Sequence, residues 1–298
     1  MKKIIVFITI TIVLLAALFS VYSIFFRKAG KPGQISIRQG EGKREIGTSL
    51  KGEGLISSPI FFYAYVYLRH DVLQSGVYKI ESEMTIPQMV DLMREGKVQE
   101  YLVTIPEGWR LTQIDEYLSE KKIIKAGELI KIASADEGYL FPDTYRFPLD
   151  IKPEEIRNIM IENFNKKTSQ YKIDSQTVIL ASIVEREAKF DEDRPKIAGV
   201  YLNRLEQNMK LEADPTVQYA KGSWDPITAA DYKNVISPYN TYLYAGLPPG
   251  SICNPGLKSI EAVVYPQKDG YLYFFHKQDG HAVYSKTQEE HEANLKNN

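Results

Sequence analysis

Between Lys3 and Arg27 run 23 residues without a charge, IIVFITITIVLLAALFSVYSIFF. Few features leave a chain so little choice. About 20 apolar residues are enough to cross the hydrocarbon layer of a bilayer, and there only a helix satisfies every backbone N–H and C=O within one segment. The rival reading is a cleaved signal peptide, whose apolar region spans only ~7–15 residues and ends at a small-residue cleavage site. No A-x-A-like site follows Phe26. The sequence therefore predicts an uncleaved signal anchor over residues 4–26, preceded by a terminus of residues 1–3. Lys2 and Lys3 precede the span while Arg27, Lys28 and Lys31 follow it. The charge balance gives no orientation.

Residues 27–34 (RKAGKPGQ) read as a polar linker. A small α+β unit follows over residues 35–101. Ile35–Ile37 alternates as a strand, and Gly40 and Gly42 precede a helix over Lys43–Leu50. Ser57-Ser58-Pro59 opens a second helix carrying Phe61, Phe62, Tyr65 and Leu68. Gly76–Ile80 is a second strand. Thr85 is placed to cap a helix over Pro87–Glu95, with Gly96 as its stop.

Further on, the stretch Gln176–Phe190, QTVILASIVEREAKF, holds good helix formers, apolar residues nearly all round and no Gly or Pro. Such a helix is buried. Glu185 and Glu187 lie within it, and a carboxyl held among apolar side chains resists ionisation, as a general acid must. At about 100° per residue the two carboxylates stand roughly 160° apart, so one substrate does not easily touch both. Glu187 shares an arc with Leu180, Ile183 and Phe190 and reads as a carboxylate buried in the fold against an arginine. Glu185 has Ala181, Ser182, Ala188 and Lys189 one turn away, and small neighbours leave room for a ligand. Spacing alone leaves both open.

Around this helix the sequence predicts an amphipathic helix over Ile151–Lys167. Another helix runs from Asp193-Arg194-Pro195 through Leu205, with Asp193 as its cap. Arg204 at its far end is a candidate ion-pair partner for Glu187 or Glu212. DEGYLFPDTY, residues 136–145, reads as a compact aromatic loop whose Glu137, Asp143 and Tyr145 either face a ligand or brace the fold. LEADPTVQYA, residues 211–220, is a turn feeding a short helix. Residues 237–256 form a long Pro- and Gly-punctuated loop, and such loops in compact domains are usually functional. A helix near Ser259–Val264, a hairpin of Tyr271–Lys277 with His281–Ser285, and a helix over Gln288–Lys296 close the chain.

Several classes of function are disfavoured. A net charge of −1 with 25% charged residues offers no electrostatic footprint for nucleic acid. The single cysteine, Cys253, cannot form a disulfide within the chain. Four scattered histidines with no HExxH give no zinc-ligand spacing, and no G-x-S-x-G nucleophile elbow is present.

The blocks ASIVEREA, AGVYLNRL, LEADPTVQYA, SPYNTYLYAGLPPGSICNPG and YLYFFHKQDGHAVYS resemble the YceG-like endolytic murein transglycosylases, in unbroken order from about Ser36 to the C-terminus. The resemblance implies an α+β fold with an N-terminal transmembrane helix, a small LysM-like subdomain over residues 35–101 and a mixed α+β catalytic domain over residues 102–298. It implies a cytoplasmic N-terminus, with the bulk of the chain outside the cell (inner) membrane. It also implies that Glu185, first glutamate of the S-I-V-E-R-E block, is the catalytic acid and base. The second strand carries Ser75-Gly76-Val77-Tyr78 where the family usually has A-G-x-Y, a mild departure.

The implied chemistry needs one carboxyl, no metal and no cofactor. The acid protonates the bridging oxygen of a glycan strand, then takes the proton of the substrate's own C6 hydroxyl, which attacks C1 and leaves a 1,6-anhydro end. Asp214, Thr216, Gln218, Tyr239, Asn240 and Thr241 carry the hydrogen-bonding groups expected to hold the sugars, or else to brace their turns. The expected partners are peptidoglycan glycan strands, the membrane through residues 4–26, and peptidoglycan synthases. Two other readings stand beside this one: an anchored wall-binding scaffold without catalysis, and ordinary hydrolysis with a water recruited by Asp214 or Glu212.

Overall fold

The computed structural model describes residues 2–29 and 31–297, with side chains from Ile4 onward. Residues 1, 30 and 298, which fall in the expected terminus, linker and last domain, lie outside them. The fold is mixed α+β. Chain contacts divide it into two units, Met1–Leu102 with Arg146–Ile151, and Val103–Tyr145 with Lys152–Asn298.

The first unit begins with α1 (Lys2–Phe25), whose Ile4–Phe25 portion is long and apolar enough to cross a membrane. After it come β1 (Gly33–Ile37), α2 (Lys43–Gly52), α3 (Pro59–Leu68), β2 (Gly76–Ile80) and α4 (Ile86–Arg94). Strands β1 and β2 pair antiparallel, Gly33 opposite Ile80 and Ile37 opposite Gly76. Ile46 and Leu50 from α2, Phe62 and Val66 from α3, Tyr78 and Ile80 from β2, and Met89 and Met93 from α4 are buried together. Thr85 caps α4 as its sequence position predicts, its N–H bonded to Gln88 Oε1 at 2.9 Å. At the end of α1 the Phe25 ring packs against Phe61 at 5.4 Å and Tyr65 at 5.7 Å.

The units divide within β3 (Glu100–Thr104) and β4 (Thr144–Pro148), which form a second two-stranded sheet. The aromatic stretch 136–145 was expected to be loop throughout, yet its last two residues open β4. TYRFP is short and ends in Pro, so its alternation becomes legible only beside β3.

In the second unit α5 (Leu111–Glu120), α6 (Glu128–Ala133) and α7 (Pro153–Thr168) precede α8 (Ser175–Glu187). Then follow α9 (Arg194–Glu206), α10 (Asp214–Lys221), α11 (Asp231–Asn234), α12 (Leu257–Val264), the hairpin β5 (Tyr273–His276) and β6 (Ala282–Ser285), and α13 (Gln288–Lys296). Helices α8, α9 and α12 build the core, with Val178, Leu180, Ile183, Val184, Ile197, Tyr201 and Ile260 buried between them. Asp174 caps α8 by accepting from the Thr177 N–H at 2.8 Å. The helix stops at Glu187, three residues before the expected end, because Ala188 turns extended (ψ 123°) and Phe190 stacks on His281 at 4.3 Å. Asp193 precedes α9 as expected, but its carboxylate is not spent on the helix. It accepts from Tyr284 Oη at 2.9 Å and so ties α9 to the hairpin.

Candidate active site

Glu185 stands in the last turn of α8, and its side chain is 7% exposed. One carboxyl oxygen, Oε2, accepts from the Gly256 N–H at 3.0 Å and the Ser259 hydroxyl at 2.7 Å. The other, Oε1, receives a single contact of 3.4 Å from Arg194 Nη1, which is not a bidentate clamp. Gly256 is the N-cap of α12, so the carboxylate also meets the positive end of that helix. Arg194 Nη1 donates to Ser259 Oγ at 2.8 Å and Nε to Asp191 Oδ1 at 3.1 Å, while Lys258 pairs with Asp191. Three donors from α9 and α12 thus fix one acid in place, and all three elements come from separate stretches of sequence.

A second carboxylate stands close by, which spacing did not reveal. A Cβ placed on Gly256, whose N–H binds Glu185, would fall 2.0 Å from Glu107 Oε1. Burial, and then the charge of Glu185, pushes the Glu107 carboxyl up from its ordinary range. The adjacent Gly108 takes a left-handed conformation (φ +75°) that strains any other residue, and a Cβ there would press on Arg186 at 3.2 Å.

Glu187 points elsewhere. It accepts from Tyr201 Oη at 2.8 Å rather than from an arginine, and burial pushes its carboxyl up to about 7. Arg204, offered to either Glu187 or Glu212, pairs with Glu212 at 3.0 Å and also donates to the carbonyls of Leu211 and Leu272.

The other sequence-selected residues form a separate cluster on α10 and the following loop. Thr216 and Thr241 are enclosed and share a 2.9 Å hydroxyl contact, and Thr241 Oγ1 accepts from the Ala213 N–H at 3.0 Å. Asn240, equally enclosed, donates to the carbonyls of Val235 and Tyr232. These three close the loop on α10. Asp214, Gln218 and Tyr239 are half-buried. Asp214 accepts from Tyr242 Oη at 2.5 Å, Gln218 donates to the carbonyls of Trp224 and Asp225, and the Tyr239 ring lies 4.7 Å from Tyr219.

The aromatic loop braces rather than reaches out. Glu137 accepts from the Leu111 N–H at 2.9 Å and Asn254 Nδ2 at 3.0 Å, and burial pushes it up to about 7. Asp143 holds Asn163 and Lys167, and Tyr145 donates to the Phe141 carbonyl. Asn254 joins three loops at once: Oδ1 accepts from the Gly138 and Leu140 N–H groups, and Nδ2 donates to the Trp109 carbonyl as well as to Glu137. Gly256, Ser259, Arg194, Asn254 and Glu107 escaped sequence reasoning. The one available signal was the density of Pro and Gly before Leu257. Among the described residues no group of three or more His, Cys, Asp or Glu side chains could hold a metal ion.

A sequence profile of the YceG-like family matches residues 35–297. The endolytic murein transglycosylase of Bacillus subtilis (strain 168) is 34% identical over 295 residues, covering 86% of this chain and 82% of that protein. That of Streptococcus pneumoniae serotype 2 is 29% identical over 88% of this chain, which spans 57% of the pneumococcal protein's length. A solved yceG-like protein of Listeria monocytogenes shares 33% identity at a TM-score of 0.58, over 89% of this chain and 99% of that one. With the family profile spanning residues 35–297 and a relative 34% identical over most of both chains, the chain belongs to the YceG-like family.

Proposed function

We propose that the chain is a membrane-anchored endolytic peptidoglycan lytic transglycosylase, cutting MurNAc–GlcNAc bonds within glycan strands and leaving 1,6-anhydro-MurNAc ends. The observation that carries this is Glu185, a nearly buried carboxyl fixed by three donors at the N-terminus of α12. In the first half of the reaction its proton passes to the bridging oxygen, and the C1–O bond breaks. In the second half the carboxylate takes the proton of the C6 hydroxyl as that oxygen bonds to C1. The Gly256 N–H, the Ser259 hydroxyl and Arg194 then hold the carboxylate formed between the halves. An intramolecular hydroxyl has a high effective concentration, which lowers the barrier by on the order of 7–11 kcal/mol at best.

Asp214, Gln218 and Tyr239 keep accessible surface for sugar hydroxyls, while Thr216, Asn240 and Thr241 serve by fixing the loop that carries them. Residues 4–26 are the anchor, with residues 1–3 cytoplasmic, 27–34 a linker, 35–101 a LysM-like glycan-binding subdomain and 102–298 the catalytic domain outside the membrane. Confinement near the bilayer would direct cutting to newly made strands, sizing or terminating them, and bring the enzyme beside peptidoglycan synthases.

The full-length chain in detergent, incubated with uncrosslinked glycan strands, is expected to give products with anhydro ends, one water lighter than reducing ends. E185Q is expected to bind strands and give none. Reducing ends alone would favour a second reading, hydrolysis, which has the nearby Glu107 carboxylate as its candidate base. No product from either protein would leave a wall-binding scaffold.

A further inference from the structure

Beside Glu185 lies a group of cationic side chains with no part in the proton transfers. The guanidinium carbons of Arg110 and Arg186 lie 3.6 and 4.0 Å from the ring centroid of Trp224. The indole is fixed, its Nε1 donating to Gln113 Oε1 at 3.1 Å, and Arg110 is tied to the Ser223 carbonyl at 3.2 Å. Two like charges on one indole repel each other. Arg186 is exposed and has no carboxylate in ion-pair range among the described residues. Arg110 is 5% exposed, and its Nε is buried without a hydrogen-bond partner. Glu137, the carboxyl whose charge acts on Arg110, is hydrogen-bonded to Leu111 and Asn254 and makes no ion pair with it. An unpartnered buried donor beside an unpaired exposed cation is an arrangement that an anion completes.

Its position says which anion. A Cβ built on Gly108 would lie 3.2 Å from Arg186 Nη1 and 3.6 Å from Glu185 Cγ, so the guanidinium stands beside Glu185, within reach of a group on a molecule bound there. On a peptidoglycan strand the anionic groups are carboxylates, on the lactyl substituent of muramic acid or on the peptide stem attached to it, and amidation neutralises them. Building on the function proposed above, we infer that Arg186 and Arg110, carried on Trp224, form a subsite that reads a substrate carboxylate. Strands with free carboxylates are preferred over amidated ones.

The test uses one preparation of uncrosslinked strands, half left with free carboxylates and half converted to amides with carbodiimide and methylamine. The full-length protein is expected to cut the carboxylate strands with kcat/KM about tenfold higher, the scale of one charge-assisted hydrogen bond. In R186Q that ratio is expected to fall to about one. Equal cutting of both strands by the unaltered protein, with anhydro ends in each, would overturn the subsite and leave the proposed function standing. A preference unchanged in R186Q would equally overturn it. Binding is read separately with E185Q, which should hold the carboxylate strands about tenfold tighter, whereas E185Q/R186Q should hold both alike. If no anhydro ends form at all, the proposed function fails, and these binding constants decide the subsite by themselves.

Discussion

The Ser259 hydroxyl donates a 2.7 Å hydrogen bond to Glu185 Oε2 while accepting one of 2.8 Å from Arg194. The serine is a link between a fixed cation and the acid, and it is fully buried. A hydrogen bond to a charged group contributes about 1.5–3 kcal/mol. S259A is therefore expected to lower kcat for anhydro-end formation by about ten- to a hundredfold with KM little altered. A change confined to KM would show that Ser259 does not position the acid.

Stability should fall as pH rises, through Glu187. Burial raises its carboxyl from 4.5 to about 7 in the folded chain. The fold thus favours the protonated form. The contribution is fully present below the unfolded value of 4.5 and is lost as pH rises through 7. Its ceiling is about 3 kcal/mol. E187Q keeps an acceptor for Tyr201 and carries no charge, so its melting temperature at pH 8 should exceed that of the unaltered protein, with little gain at pH 4. Parallel melting curves for the two proteins across this range would refute the burial argument.

Gly199 in α9 tolerates no side chain. A Cβ there would fall 2.1 Å from the Gln267 carbonyl oxygen, a backbone atom that cannot swing aside. G199A is expected to cost at least about 2 kcal/mol, the range of overpacking in a filled core, read as a lowered denaturation midpoint with unchanged slope. Alanine is otherwise the better helix former, so a neutral or stabilising result would mean the 265–268 turn is free to move.

Asn254 satisfies four hydrogen-bonding positions across three loops. N254L would leave the buried Gly138 and Leu140 N–H groups unpaired, each costing about 1–3 kcal/mol. A loss of roughly 3 kcal/mol in urea unfolding is expected, together with loss of activity, because the same loops carry Glu107 and Gly256 to the site.

Local sequence determined the elements whose signals are covalent or periodic. The uncharged run at 4–26 had no alternative to a helix, Thr85 announced its helix start, and the last helix falls at Gln288–Lys296 as read. The wheel of α8 favoured Glu185 over Glu187 only slightly, by its small neighbours, because periodicity gives a direction and not what lies there. Tertiary structure separated them: one carboxyl meets the start of α12, the other a tyrosine of α9. The partners that hold the Glu185 carboxyl in place come from residues 194, 256 and 259, and Glu107 and Arg110 arrive from nearly 80 residues upstream. Hydrogen bonds act over 3 Å in space whatever the separation along the chain, so no local pattern could encode them.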